Sequence, residues 1–282
     1  MSGVLIGGLY AVMSLGLSLS WGALKIINLA HFSFILFGAY LAYQVTVTFE
    51  IDPFLTILVV LPLFFVVGAL LQIFFHAVKV DEFKSLIISF GIFIILQSLA
   101  RTIWSADFRR IGPALNPYEA EAMFVGGVPL QIPRLVALLA ALILAGGMSY
   151  LLGRTYFGKA VRAVAQDAEM AEAFGIDTRR VAVVLAGLSA AISALAGILI
   201  ALGQTIFPDL SVTWFGIVFP VVILGGLGNT MGTLTAGVIV GLTAGVAHVL
   251  WGPLAVPLVT FVILIAALLF RPEGLVTKQS IS

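Results

Sequence analysis

The polar side chains that could do chemistry are few, and they lie inside long apolar stretches. Asn28 and His31 are three residues apart, which places them on one face of a helix, and Ser33 follows closely. Such groups either line a polar route or hydrogen-bond to neighbouring helices, and the sequence leaves both interpretations open. His76 and His248 lie in separate segments without acids beside them. We therefore expect no catalytic residue, no metal site and no cofactor in this chain.

The composition indicates that the solvent of this chain is a lipid bilayer. Of 282 residues, 61% are hydrophobic and 10% are charged, and the mean hydropathy is +1.19. A soluble domain carries about a quarter charged residues, so a soluble enzyme and a disordered chain are excluded. The net charge of +1 leaves no basic field to hold nucleic acid. Cysteine is absent, which excludes disulfides and thiolate chemistry.

Continuous apolar runs predict membrane-spanning helices, because a span needs roughly 20 apolar residues. A barrel would instead show short alternating strands. We therefore predict an all-α polytopic membrane bundle of about eight to nine transmembrane helices, forming one domain over residues 1–282. The nine candidate segments are 4–24, 26–48, 54–77, 86–103, 135–152, 181–202, 211–227, 233–250 and 254–270.

All thirteen acidic residues lie outside these segments. A carrier driven by protons or cations usually needs a carboxylate at membrane depth, although some bind sodium through backbone carbonyls. If this chain moves a solute uphill, we expect the energy to come from another polypeptide.

The positive charges predict the orientation of the chain. Lys and Arg collect in the connection 153–180 and in the tail, where Arg271 and Lys278 lie. Both regions should therefore be cytoplasmic. Four segments lie between them, and an even number of crossings returns the chain to the same side of the membrane. Nine crossings then place the N-terminus outside, and eight would place it inside.

Small residues at four-residue spacing predict close helix packing. The three series are Gly3 and Gly7; Ser189, Ser193 and Gly197; and Gly237, Gly241 and Gly245. The stretch 224–232 holds four glycines, among them Gly225, Gly226 and Gly228, near a membrane border. It predicts either a broken helix beside a transport pathway or a plain cytoplasmic turn.

Residues 153–160 match the glycines and lysine of a phosphate-binding loop, but the match fails. The next position needs Ser or Thr to bind magnesium, and it is Ala160. A membrane helix precedes the stretch where a buried strand is required. Any ATPase must therefore be a separate subunit.

The connection between the fifth and sixth segments predicts a cytoplasmic helix that docks to another protein. Residues 159–174 are rich in alanine, Gly175 suits the end of the helix, and Asp177 suits the cap of the next one. A helix at the lipid surface is the alternative, but large apolar anchors are few. We assign the coupling element to about 154–177. Its contact residues are Gly158, Lys159, Arg162, Ala163, Asp167, Glu169, Ala171 and Gly175.

The chain resembles the inner-membrane permeases of bacterial ABC importers for branched-chain amino acids, of the shorter permease type. Four motifs carry the resemblance: 7–11 with 14–17; 27–31 with 38–40; 158–163 with 175–177; and 224–228 with 232. Together they cover nearly the whole chain. One position departs from the pattern, because Phe32 stands where the family usually has glycine.

The resemblance implies a multi-pass protein of the bacterial inner membrane with several partners. These are a second permease subunit, two cytoplasmic ATPases that bind ATP and magnesium, and a periplasmic solute-binding protein. The docked helix would transmit closure of the ATPases to the membrane helices, alternating access to a pathway that includes Asn28, His31, Ser33 and the glycines of 224–232. The solute would be a branched-chain amino acid or a related small amino acid or amide. A self-sufficient channel for a small neutral solute such as urea is the alternative.

Overall fold

The computed structural model describes residues 2–120, 122–125, 128–252 and 254–270. Four residues used in the sequence predictions, Glu121, Arg271, Glu273 and Lys278, lie outside these ranges. Within them nine apolar helices form the bundle: α1 (Ser2–Leu24), α2 (Ala30–Phe49), α3 (Ile57–Ala77), α4 (Glu82–Trp104), α6 (Ile132–Arg154), α9 (Thr178–Gly203), α10 (Leu210–Gly225), α11 (Thr230–Trp251) and α12 (Ala255–Phe270). The shorter elements are a 3₁₀ turn (Pro53–Thr56), α5 (Pro117–Ala120), β1 (Ala122–Val125), β2 (Val128–Gln131), α7 (Tyr156–Gln166) and α8 (Ala168–Ala173).

These nine helices match the nine predicted segments one for one. Seven are long and apolar enough to cross a membrane, and α10 and α12 are shorter apolar helices. The all-α polytopic membrane bundle is therefore confirmed. One addition is the antiparallel hairpin β1–β2, in which Ala122 pairs with Gln131 and Val125 with Val128. Strands this short, in a connection, leave too weak a pattern for the sequence to reveal.

Glycine contacts hold α1 in the middle of the bundle. A Cβ added at Gly7 would lie 2.6 Å from the Cα of Val238 on α11, and one at Gly8 would lie 2.5 Å from the Cα of Leu138 on α6. On α9, Gly197 meets the backbone of α2 in the same way. Lipid provides no hydrophobic force between helices, so this close backbone packing stabilises the bundle. The small-residue series therefore have the packing role that their spacing predicts.

Polar contacts tie together the end of the bundle opposite α7 and α8. Arg109 and Ile206 exchange two backbone hydrogen bonds of 2.8 and 2.7 Å, and the Asn116 side chain donates to the Leu202 carbonyl at 2.8 Å. Arg101 on α4 pairs with Asp209, which precedes α10. The connections at this end are thereby anchored to α9 and α10.

The predicted cytoplasmic helix is two helices, so that prediction is wrong in its continuity. Asp167 has extended backbone angles and separates α7 from α8, and its carboxylate accepts a hydrogen bond from the Met170 amide at 3.0 Å. An aspartate caps a new helix more readily than it continues an old one. The predicted end of the cytoplasmic helical region at Gly175 is confirmed, because Gly175 has a φ of +84° and the Ile176 amide donates to the Ala171 carbonyl at 3.0 Å.

Candidate functional site

A non-helical segment, Lys25 to Leu29, joins α1 to α2 and is held by serines of α4. The Ile27 amide donates to Ser85 Oγ at 3.2 Å, and the Leu29 amide donates to Ser89 Oγ at 2.9 Å. Ser89 in turn donates to the Ile27 carbonyl at 3.1 Å. Irregular backbone inside a membrane protein needs such partners or a water-filled cavity beside it. Because of this segment, α2 begins four residues later than the predicted span.

Asn28 of this segment lines a narrow throat between α1, α3 and α9. The throat has a volume of about 10 Å³, and its polar walls are Ser20, Asn28, Gln72 and Ser189. The Asn28 side chain accepts a hydrogen bond from the Ala30 amide at 3.1 Å. None of these four groups carries a charge. The prediction that Asn28 lines a pathway is thus compatible with its position.

Gln72 on α3 is the polar residue of the throat that the sequence analysis missed. Its side chain is buried, with 5% of the residue exposed, and it makes no hydrogen bond to any described residue. The Gln72 amide atoms are not sealed from solvent, and Gln72 lines both the throat and the crevice described below, so the amide can hydrogen-bond to water or to a solute there. The sequence feature that could have identified Gln72 is its position as a single amide within the 21 mostly apolar residues of α3.

Beside the throat lies a crevice of about 580 Å³, at the end of the bundle that carries α7 and α8. The two spaces share Leu24, Ile26 and Gln72. The mouth of the crevice carries both signs of charge, from Lys25, Asp81, Glu82 and Asp167. One of its walls is the α7–α8 junction, formed by Val164, Gln166, Asp167 and Ala168. The predicted coupling element is therefore part of the crevice.

Asp81 at this mouth also begins α4. It accepts a hydrogen bond from the Lys84 amide at 2.8 Å, and its other oxygen lies 3.0 Å from Lys84 Nζ. The backbone hydrogen bond from Lys84, followed by the side-chain bond, holds the pKa of the Asp81 carboxyl below its ordinary value. Asp81 therefore remains an anion at the mouth at neutral pH.

His31 and Ser33 lie in packed parts of the bundle and not in the throat. His31 Nε2 lies 2.7 Å from the Met13 carbonyl and Nδ1 lies 2.7 Å from Ser193 Oγ, so both ring nitrogens have partners. Ser33 donates to the Phe93 carbonyl at 3.3 Å. In this conformation both residues have the packing role that the sequence left as the alternative.

Phe32, the departure from the family pattern, fills space between α2, α4 and α10. Its ring is fully buried and stacks on Phe215 with 3.9 Å between centroids, while Phe219 lies at 5.8 Å. Phe93 meets Phe215 edge to face at 5.1 Å. Glycine at position 32 would leave this aromatic cluster without its central ring.

The three pathway glycines of the 224–232 stretch form a turn, not a broken helix. Gly226 and Gly228 have φ values of +84° and +76°, which other residues rarely adopt. The Gly228 amide donates to the Ser18 carbonyl at 3.0 Å, and a Cβ at Gly225 would lie 2.6 Å from the Cα of Thr233. The glycines bring α10, α11 and α1 together, and none of the three lines the throat or the crevice.

The structure divides the predicted coupling residues between a buried and an exposed set. Gly158 and Ala171 are buried, Ala163 is partly buried, and Arg162 donates to the Leu152 carbonyl at the end of α6. Lys159, Asp167, Glu169 and Gly175 are exposed. Ala171, one of the predicted contact residues, is 4% exposed and covered by its own chain. The large exposed groups beside it are Tyr156, Met170 and Phe174.

Carboxylates are absent from the middle of the apolar helices in the part of the chain that the structure describes. Each described acid lies in a connection, a cap, a first turn or one of the short helices. Among the described residues no three of His, Asp and Glu come together in a way that could hold a metal ion. This arrangement offers hydrogen bonds and a path for a solute, rather than groups for covalent chemistry.

Residues 1–270 match the family model for the permease component of branched-chain amino acid transport systems. The chain belongs to this family. The permease is therefore a multi-pass membrane transport subunit. It is 22% identical to the high-affinity branched-chain amino acid transport system permease protein BraD of Pseudomonas aeruginosa, over 99% of this chain and 95% of that protein.

Two further relatives carry related names. The permease is 23% identical to the high-affinity branched-chain amino acid transport system permease protein LivH of Escherichia coli, over 99% and 95% of the two chains. It is 24% identical to the probable branched-chain amino acid transport permease protein LivH of Methanocaldococcus jannaschii, over 96% and 90%. No solved structure matches the permease.

Proposed function

We propose that this permease is one membrane subunit of an ATP-driven importer in the bacterial inner membrane. It moves a branched-chain amino acid, or a related small amino acid or amide, by alternating access. Its partners are a second permease subunit, two cytoplasmic ATPase subunits that bind ATP and magnesium, and a periplasmic solute-binding protein. The permease itself makes and breaks no covalent bond.

One observation carries the proposal: the α7–α8 junction is a wall of the crevice that Gln72 also lines, and Gln72 lines the adjacent throat together with Asn28. A partner that grips the exposed side of α7 and α8 and moves them changes the width of the crevice directly. The exposed residues Lys159, Asp167 and Glu169 are the contact residues in this scheme. Gly158, Arg162 and Ala171 hold the element against the bundle.

The chemistry of the throat supports a neutral or zwitterionic solute. Its polar groups are hydroxyls and amides, which replace the hydrogen bonds that such a solute loses on leaving water. A fixed charge would retain an ion of opposite sign and repel one of the same sign. Asn28 and Gln72 are the pathway residues of this proposal.

Reconstitution into vesicles tests the proposal. Vesicles that contain the permease, its second permease subunit and the ATPases should accumulate radiolabelled leucine when ATP and the binding protein are supplied. Omission of either should abolish accumulation. Vesicles that contain the isolated permease should show no downhill flux of leucine or urea. Rapid downhill flux through the isolated chain would contradict the proposal and favour the self-sufficient channel.

A further inference from the structure

A second cavity lies at the end of the bundle opposite α7 and α8. Its volume is about 260 Å³, and it is enclosed by the near ends of α1, α6, α9, α10, α11 and α12. Ligand cavities commonly measure about 300 to 1,000 Å³, so this one suits only a small molecule. Leu9 and Tyr10 of its lining belong to the 7–11 motif, and the cavity shares no lining residue with the throat.

Arg134 is the unusual residue of this cavity. It lies in the first turn of α6, where the helix dipole disfavours a cation, and that turn holds no acid. Arg134 is partly buried and forms no ion pair with any described residue. Tyr10 and Arg134 line the same cavity. The helix end and the guanidinium together attract an anion, and the described residues that line the cavity do not supply one.

The remaining walls define the rest of the ligand. Met13 and the buried Trp214 provide apolar surface, and Tyr10 and Gln204 provide groups that hydrogen-bond. None of the described residues that line the cavity is an Asp or a Glu. An apolar wall beside one cation fits a small molecule that has a carboxylate next to a short aliphatic group.

The cavity also lies in line with the throat. Tyr10 and Met13 are on the face of α1 that continues to Ser20, which lines the throat. On α9, Gly203 lines the cavity and Ser189 lines the throat. The packed residues between them include His31, which bridges the Met13 carbonyl and Ser193. Two spaces separated by a closed stretch are what alternating access requires of a pathway.

We propose that this cavity binds the transported solute on the outer side of the membrane, with Arg134 holding the carboxylate and the apolar wall holding the aliphatic side chain. This inference rests on the proposed function for the direction of transport. The Arg134 guanidinium can donate two parallel hydrogen bonds to a carboxylate, which a lysine cannot do.

Binding to the full-length permease in lipid nanodiscs tests the site. Saturation-transfer NMR, which detects weak binding, would measure the dissociation constants of L-leucine and of L-leucinamide, which lacks the carboxylate. The variants are Arg134→Gln and Arg134→Lys. The matched control is Arg179→Gln, because Arg179 is an exposed arginine in the first turn of α9 and lines neither cavity.

We expect the wild type and Arg179→Gln to bind leucine at least tenfold more tightly than leucinamide. Arg134→Gln should bind the two probes equally, and Arg134→Lys should fall between. Two results would overturn the site: retention of the preference for leucine by Arg134→Gln, or no binding of leucine to the wild type up to 10 mM. The ligand comparison within the wild type remains informative if a variant fails to fold.

Two other outcomes can be distinguished from solute binding: the cavity binds a lipid headgroup, or the proposed transport function is wrong. Native mass spectrometry that finds a phospholipid on the wild type, lost in Arg134→Gln, together with no leucine binding, would make the cavity a lipid site and overturn the proposal. In the reconstituted importer, Arg134→Gln should raise the KM for leucine. An unchanged KM would overturn the site alone, whereas absence of ATP-dependent uptake by the wild type would overturn the proposed function.

Discussion

Replacement of Gln72 by leucine should lower the transport activity of the permease without lowering its stability. Residue Gln72 is 5% exposed, and its side chain makes no hydrogen bond to a described residue but lines both the throat and the crevice. A sealed polar group left unpaired costs about 1–3 kcal/mol, and an amide that faces an open crevice costs less because water can reach it. Leucine has a similar volume, so Gln72→Leu leaves no large cavity. We expect the free energy of unfolding to stay constant or to rise by at most about 1 kcal/mol, which corresponds to about 2 °C in Tm.

The transport activity of Gln72→Leu should fall. A solute that passes the throat loses hydrogen bonds to water, and the loss of one replacement bond is worth roughly 1–2 kcal/mol. Since 1.4 kcal/mol is about a tenfold change in an equilibrium constant, ATP-dependent uptake should fall about tenfold. Tryptophan fluorescence during heating would measure the Tm, and uptake into vesicles at equal protein content would measure transport.

Gln44→Leu is the matched control, because its amide has partners. Trp104 Nε1 donates to Gln44 Oε1 at 3.1 Å, and Gln44 Nε2 donates to Thr48 Oγ1 at 2.9 Å. Its replacement should lower the Tm and leave uptake per folded protein unchanged. If Gln72→Leu instead lowers the Tm, or transports at the wild-type rate, the amide is a packing group and the assignment of the throat is refuted.

Three further predictions concern the throat, the coupling element and an outer connection. Asn28→Leu should reduce uptake without loss of assembly, and unchanged uptake would assign Asn28 to packing. Glu169→Lys changes an exposed carboxylate, so it should weaken co-purification of the ATPase while the Tm stays constant. Arg162→Glu should weaken co-purification and also lower the Tm, because Arg162 hydrogen-bonds to the end of α6. Normal assembly and uptake in both variants would contradict the docking assignment. The hydrogen bond to Asp52 is the largest cause that raises the pKa of Tyr118 above its ordinary value of 10.0, and burial is the next. Tyr118 therefore favours its protonated form in the fold. The stability from this bond is present below pH 10 and is lost as the pH rises through the folded pKa. NMR titration of ring-labelled tyrosine should show a lower pKa in Asp52→Asn, and no difference would contradict the bond.

The spans of the bundle were predictable because hydropathy alone marks them. The nine predicted segments agree with the helices within four residues, and the largest differences are at the starts of α2 and α4. Residues 26–29 are mostly apolar, and composition cannot distinguish a helix from an extended segment held by Ser85 and Ser89. The break at Asp167 was missed for a related reason, since the alanines on both sides favour helix in either case.

The roles of single polar residues were less predictable, because they depend on which helices meet. His31 and Asn28 lie three residues apart, yet Asn28 lies in the extended segment, so they do not share a helix face. Gln72 and Arg134 carried little signal in the sequence, since each is one polar residue at or within a long apolar run. Their importance follows from the cavities that they line, and a cavity is a property of the packed helices.

The length of α9 connects features that otherwise lie far apart. Its 26 residues correspond to about 39 Å at 1.5 Å per residue. It begins directly after the coupling element at Asp177, passes the throat at Ser189 and reaches the outer cavity at Gly203. A rigid rod of this length that tilts by about 5° shifts one end by roughly 3 Å relative to the other. In the proposed mechanism, a small displacement of α7 and α8 would therefore tilt α9 and change the width of the throat and of the cavity at its far end together.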